Sequence, residues 1–173
     1  MRQTSFMYRV LIPGLILTSV LFSSCGFYEH RERQVLFNEV AATNDTLDKL
    51  VRGWHQTLEK AVITKNFSTL GSERIKIGQF ISRRRSLIAN LELPPDAHTL
   101  RESEDVFLTA QSVMVTDIYP RFESFNDLTP RDTIQARRKL VAADQDTELA
   151  WKLTIKKSLE AFAIKNKLKS SKK

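Results

Sequence analysis

The sequence predicts an all-α protein: a single-domain, antiparallel four-helix bundle in up-down-up-down order. Three observations lead there. Apolar residues recur at intervals of three and four along most of the chain, and no alternating run is long enough for a strand. Gly and Pro number only five each in 173 residues, too few for the turns of a β-sandwich or barrel. The breaks between periodic segments are short, and short connections between long helices favour antiparallel neighbours. At 42% apolar and 27% charged residues the composition is globular, and no repeat at solenoid spacing is present.

The first segment is of a different kind. Arg2 and Arg9 make it positive, and residues 1 to 24 contain no acid. Val10 to Phe22 is an apolar run of thirteen residues, interrupted by Pro13, Gly14, Thr18 and Ser19. A spanning helix needs roughly 20 apolar residues, so this length fits the core of an export signal. Ser23, Ser24, Cys25 and Gly26 follow, and Cys25 is the sole cysteine.

Small residues just before a Cys at the end of such a run resemble the bacterial lipoprotein box. The resemblance covers about the first 26 residues. It implies cleavage before Cys25, a diacylglycerol on its thiol and often a further acyl chain on the new amine. The family favours Leu three residues before the Cys; this chain has Phe22 there, with Leu21 one step further away. Gly26 stands where an Asp would, by resemblance, retain the protein at the inner membrane, so the resemblance implies the outer membrane in a cell that has one. Two or more acyl chains would hold firmly, where one gives only marginal binding. The alternatives are ordinary cleavage after Gly26, which would release a soluble protein, and an uncleaved anchor.

Four helical segments follow. The first runs from about Arg31 to Lys65 on Leu36, Val40, Leu47, Val51, Trp54, Leu58 and Val62, with one gap at Asn44. Residues 66–68 form a turn with Ser68 as a candidate N-cap. The second runs from about Thr69 to Leu91 on Leu70, Ile77, Ile81, Ile88 and Leu91, with Arg74 and Arg84 completing the rhythm. Gly71 and Gly78 each cost it about 1 kcal/mol against Ala. Pro94-Pro95 ends that run, and Asp96 or Thr99 can cap the next; Thr99 and Glu102 have capping-box spacing.

The third runs from about Ala97 to Phe125 on Leu100, Phe107, Gln111, Met114, Ile118, Phe122 and Phe125, and Pro120 should kink or split it. The fourth starts at Thr129 as N-cap with Pro130 in the first helical position and Asp132 in the first turn. It reaches about Lys167 through Ile134, Val141, Trp151, Ile155, Leu159 and Phe162. Asp144 and Glu148 fall where apolar residues are expected, which leaves open whether the helix breaks near them. The chain therefore divides into a removed signal (1–24), a lipidated start and short linker (25–30), the bundle (31–167) and a basic, disordered tail (168–173).

Charge is uneven. The total is +7; without Arg2 and Arg9 it is 25 minus 20, or +5. From Glu92 to Glu148 acids outnumber bases twelve to six, whereas Lys152 to Lys173 holds eight lysines and one acid, Glu160. Lys152, Lys156, Lys157, Lys165, Lys167, Lys169, Lys172 and Lys173 are candidate contacts to an anionic lipid or polymer, at about 1 kcal/mol each near a charged surface. The tail has no aromatic residue to stack on bases, which argues against nucleic acid. Arg83, Arg84 and Arg85 spread over roughly 200° of helix and cannot face one ligand. Arg84 is expected to snorkel or to pair with an acid from the middle of the chain.

No catalytic or cofactor constellation emerges. The residues three before His30, His55 and His98 are Phe27, Arg52 and Pro95, so the Glu-x-x-His pairs of di-iron bundles are absent. His55 with Glu59, and His98 with Glu102, stand one helical turn apart, but two ligands do not make a metal site. Glu102, Glu104 and Asp105 are expected to serve as favourable charge near a helix start. There is no Gly-x-Ser-x-Gly, no Gly-rich phosphate loop and no His-Glu-x-x-His. The leading expectation is a non-enzymatic, lipid-tethered module that binds a partner protein or an envelope polymer, without a cofactor. A small-ligand or metal carrier with a pocket between helices is second and a periplasmic enzyme third.

Overall fold

The computed structural model describes the backbone of residues 7–169 and the side chains of 28–142 and 147–169. It is an all-α, single-domain helical bundle, with no strand among the described residues. The helices are α1 (Met7–Thr64), α2 (Leu70–Ala89), α3 (His98–Val113) and α4 (Arg131–Asn166). They pack as a ring in chain order, with α4 returning against α1. Cross-links fix the antiparallel sense. Arg84 near the end of α2 reaches back to Glu39 of α1, and along α4 the α1 partners run backwards, Arg138 to Glu59 and then Lys152 to Asp48.

The core is the set of stripes the sequence announces. Leu36, Val40, Leu47, Val51, Trp54 and Leu58 of α1 are buried against Leu70, Ile77, Ile81 and Ile88 of α2 and Leu100, Phe107 and Leu108 of α3. From α4, Ile134, Val141, Ile155 and Phe162 close the fourth side. The break left open near Asp144 and Glu148 does not occur; α4 is continuous, because Glu148 is accommodated in the interior by Lys152 at 2.8 Å. The linker expected at 25–30 is helical and continuous with α1, since no proline interrupts it and Glu29 pairs with Arg33 one turn on.

Helix three ends in three steps. α3 passes into a π-helical turn (Met114–Ile118) and then a 3-10 turn (Tyr119–Phe122) that accommodates Pro120. The wider turn shifts the buried face by one residue: Val115 and Tyr119 are buried where Met114 and Ile118 are expected. Tyr119 then stacks on Trp54 at 3.8 Å between centroids, while Phe122 and Phe125 meet edge to face at 5.6 Å.

The caps depart from expectation. Ser68 donates to Asn66 Oδ1 at 2.7 Å instead of capping α2, and the residue before α2 is Thr69. Asp96 is taken by Arg33, and Thr99 lies inside α3, so neither caps it and the box with Glu102 does not form. Thr129 Oγ1 accepts from the Asn126 N–H at 2.9 Å, and Pro130 occupies the cap position of α4. Each candidate cap is drawn off by another partner: Asn66 for Ser68, Arg33 for Asp96 and Asn126 for Thr129. The tail is also partly ordered. Lys167 turns left-handed (φ 52°), the Leu168 N–H bonds the Ala163 carbonyl at 2.9 Å, and Leu168 packs on the core.

Two glycines of the helices differ in what surrounds them. A Cβ at Gly53 would meet nothing within 4 Å, whereas one at Gly71 would lie 3.1 Å from Glu123 Oε2. Gly71→Ala must displace the carboxylate that Arg74 holds. Gly53→Ala is therefore expected to raise unfolding free energy by roughly 0.5–1 kcal/mol, and Gly71→Ala to gain less or to lose. Urea titration of both variants checks this; an equal gain in both would refute it.

Candidate functional site

The residues singled out in the sequence gather at three places. The first is the end of the bundle where α1 begins its packing and α4 finishes. Arg33 is bound bidentately by Asp96, with Nε and Nη2 3.0–3.2 Å from the carboxylate oxygens, and Glu29 adds a contact at 3.2 Å. These bonds hold the Asp96 carboxyl below the usual carboxylate range and push Arg33 up. Beside them the Gln34 amide clasps the tail: Nε2 donates to the Lys169 carbonyl at 3.2 Å, and Oε1 accepts from the Lys169 N–H at 3.3 Å. A shallow groove of about 210 Å³, lined by Tyr28, Arg31, Glu32, Val35, Leu91 and Leu93, opens at the same end. The side chain of Cys25, and all of Lys172 and Lys173, lie outside the described residues.

The candidate lysines do not form one set. Lys152 is a half-buried cross-link between α4 and α1, with Nζ 2.8 Å from both Asp48 and Glu148. Burial works against its ammonium, yet the two carboxylates outweigh it and its pKa is raised. It is therefore removed from the surface set, because its charge is already spent. Lys156 stands 4.0 Å from Glu160, and Lys157, Lys165, Lys167 and Lys169 are exposed.

The second place is a polar layer inside the bundle. Glu104, expected to serve as surface charge at a helix start, is fully buried instead. Its Oε2 accepts from Asn44 Nδ2 at 3.3 Å. Glu104 Oε1, Asn44 Oδ1, Thr43 Oγ1 and Gln111 Oε1 are buried without a hydrogen-bond partner among the described residues. Burial pushes the Glu104 carboxyl up to about 8, and the bond from Asn44 opposes only part of that. At neutral pH the group is mostly a neutral acid. The gap in the α1 stripe at Asn44 is the trace of this layer in the sequence.

The third is the seam between α1 and α4. His55 sits half-buried with its ring edge-on to Trp54 at 5.3 Å, and burial pushes its pKa below the ordinary value while Glu148 pulls it back. Glu59, its candidate co-ligand, pairs with Arg138 instead. A groove of about 390 Å³, open to solvent, runs past His55, Glu59, Gln135 and Arg138. His98 contacts Arg101 at 3.2 Å rather than Glu102. Among the described residues no three His, Cys, Asp or Glu side chains gather to hold a metal.

The arginine run divides as its angular spread requires. Arg84 pairs with Glu39 at 2.7 Å and lies over the Phe80 ring at 5.4 Å, while Arg85 takes Asp105 at 2.8 Å. The partner of Arg84 is thus an acid of α1, not one from the middle of the chain. Arg74, the other arginine on the α2 stripe, pairs with Glu123. Among the described residues no helix is long and apolar enough to cross a membrane. No family model, curated protein or solved structure matches this chain.

The buried acid has a pH signature. Between the ordinary carboxylate value of 4.5 and about 8, the folded chain keeps a proton on Glu104 that the unfolded chain gives up. Stability must then fall as pH rises through that window. Denaturant unfolding at about pH 5 and about pH 9 should show a loss on the order of a few kcal/mol in wild type. Glu104→Gln, which keeps the bond to Asn44, should remove most of it. His55 is common to both proteins and cancels in the comparison. The same pH slope in both would show that Glu104 titrates normally.

Proposed function

We propose that the chain is exported, loses residues 1–24 and is held at the cell envelope by lipid on Cys25, where its bundle acts as a non-enzymatic module that binds a partner protein or an envelope polymer. The observation that carries this reading is the position of the sole cysteine: it directly follows Ser23 and Ser24, at the close of an apolar run of export-signal length behind Arg2 and Arg9. Gly26 after it favours the outer membrane, by the same resemblance.

Three structural features support a binding role over a catalytic one. The grooves at the tether end and the α1–α4 seam are open and shallow, unlike the enclosed, mostly apolar clefts that bury small substrates. Most of the charged side chains that might do chemistry are paired: Arg33, Arg74, Arg84, Arg85, Arg138 and Lys152 each hold a carboxylate. The helix that carries Cys25 is the longest in the bundle and has no proline after that residue, so the module would stand on its own helix rather than on a loose linker.

The test is chemical. In a bacterial host fed labelled palmitate, the wild-type chain should take up label, partition into detergent and give a mature N-terminus at a modified Cys25. Cys25→Ser should take up none and remain as the uncleaved precursor. Normal maturation of Cys25→Ser, an N-terminus at any later residue, or an unmodified thiol would end the reading.

A further inference from the structure

The close of α4 lies at the end of the bundle from which α1 starts, and three observations make that end more than a helix terminus. The clasp of Gln34 on the Lys169 backbone fixes where the lysines stand, leaving their side chains outward. Lys165, Lys167 and Lys169 are exposed, and none has a carboxylate within 4 Å among the described residues. Asp96 is near enough to Lys165 to feel its charge, and Arg33 already holds it with three hydrogen bonds. Glu29 is likewise engaged by Arg33, and Glu160 faces Lys156; Glu32 and Glu92 line the groove at this end together with Arg31. Two exposed apolar side chains share this end: Tyr28 is 66% exposed and Ile164 80%. Cationic residues beside an exposed aromatic and an exposed aliphatic group match a membrane interface, where rings and short apolar chains enter the headgroup layer and ammonium groups meet phosphate.

We propose that this end of the bundle docks on a bilayer bearing anionic phospholipid headgroups, with Lys165, Lys167 and Lys169 contacting the phosphates and Tyr28 and Ile164 entering the interface. The proposal rests on the tether at Cys25 and gives it an orientation. Distances allow both contacts at once. Gln34 is nine residues along α1 from Cys25, a rise of about 14 Å. A negative surface is felt within a Debye length of about 8–10 Å, less than that rise, so the docking has α1 lean toward the bilayer and bring the lysines into its field. Lys152 contributes nothing, because Asp48 and Glu148 neutralise it.

The full chain, processed in a bacterial host, is reconstituted into vesicles of phosphatidylcholine alone or with three parts in ten phosphatidylglycerol. A water-soluble amine-acylating reagent is applied, and labelling is quantified lysine by lysine by mass spectrometry. Labelling at Lys165, Lys167 and Lys169 is expected to fall roughly fivefold on the anionic vesicles and to recover in high salt. Lys60 and Lys139, at the opposite end, should label equally on both. Equal labelling of the three lysines on both vesicles overturns the proposal, and so does a parallel fall at Lys60 and Lys139. Protection by soluble polyglutamate but not by vesicles also overturns it, moving the partner from bilayer to polymer.

Failure of the tether shows separately, as an unmodified Cys25 in the same mass spectra. The unmodified chain is then added to the anionic vesicles. Protection of the three lysines there upholds the docking, and no protection overturns it. Gln34→Ala, which frees the tail without changing charge, should reduce the protection; unchanged protection would show that the clasp does not position the lysines and would overturn that part.

Discussion

The burial of one face of α1 is the interaction on which the rest of the molecule depends. Leu36, Val40, Leu47, Val51, Trp54 and Leu58 are each at most 3% exposed. A fully buried side chain of this kind contributes about 1.5–3 kcal/mol relative to exposure, while a surface ion pair contributes about 0–1. The apolar stripe therefore decides the fold, and the ion pairs decide register. Arg84 with Glu39, Lys152 with Asp48 and Arg33 with Asp96 each join α1 to a different partner along its length. A slip of one turn would move the arginines away from their carboxylates, leaving partly buried charges unpaired, which costs more than the pairs themselves supply.

The polar layer at Thr43, Asn44, Glu104 and Gln111 works against that economy. Replacing these four by apolar residues would fill the same space without an acid that must keep its proton. A carboxyl held near 8 costs stability at neutral pH and above, yet it gives α1 and α3 one mutual arrangement, because only Asn44 meets it. Bundles built solely from interchangeable aliphatic side chains can slide, and a single buried polar pair is a known way to forbid sliding. Trp54 on Tyr119 plays the same part further along, since stacked rings match only at one height.

The helices and their order were legible because burial imposes a 3.6-residue period that needs no knowledge of the partner. Arg74 and Arg84 were legible as stripe members, but not their partners Glu123 and Glu39, which lie 49 and 45 residues away and become neighbours only after folding. Glu104 was misread for the same reason: beside Glu102 and Asp105 it looks like one more surface acid, and only the facing Asn44 distinguishes it. The signal that was present, and not used, is the coincidence of two irregularities, a polar gap in the α1 stripe and an acid in phase with the α3 stripe. Met114 and Ile118 were misplaced because a π turn changes the period inside a helix, and Pro120 marked only its far side. The caps failed because Ser68 and Thr129 each had a nearer partner in Asn66 and Asn126.

Proximity in sequence also misled the reading of charge. Eight lysines from Lys152 onward look like one basic segment, but a helix distributes them in angle and the bundle then sorts them. Lys152 turns inward to Glu148 and Asp48, and its charge is screened at contact distance. Lys165, Lys167 and Lys169 emerge where the helix runs out of core to cover, and the left-handed turn at Lys167 sends Leu168 inward while its lysine neighbours stay in water. The field that an approaching surface meets is thus set by where the core ends. In the proposed reading that place lies beside the tether, so anchor and charge act on one surface and their free energies add without a linker's entropy between them.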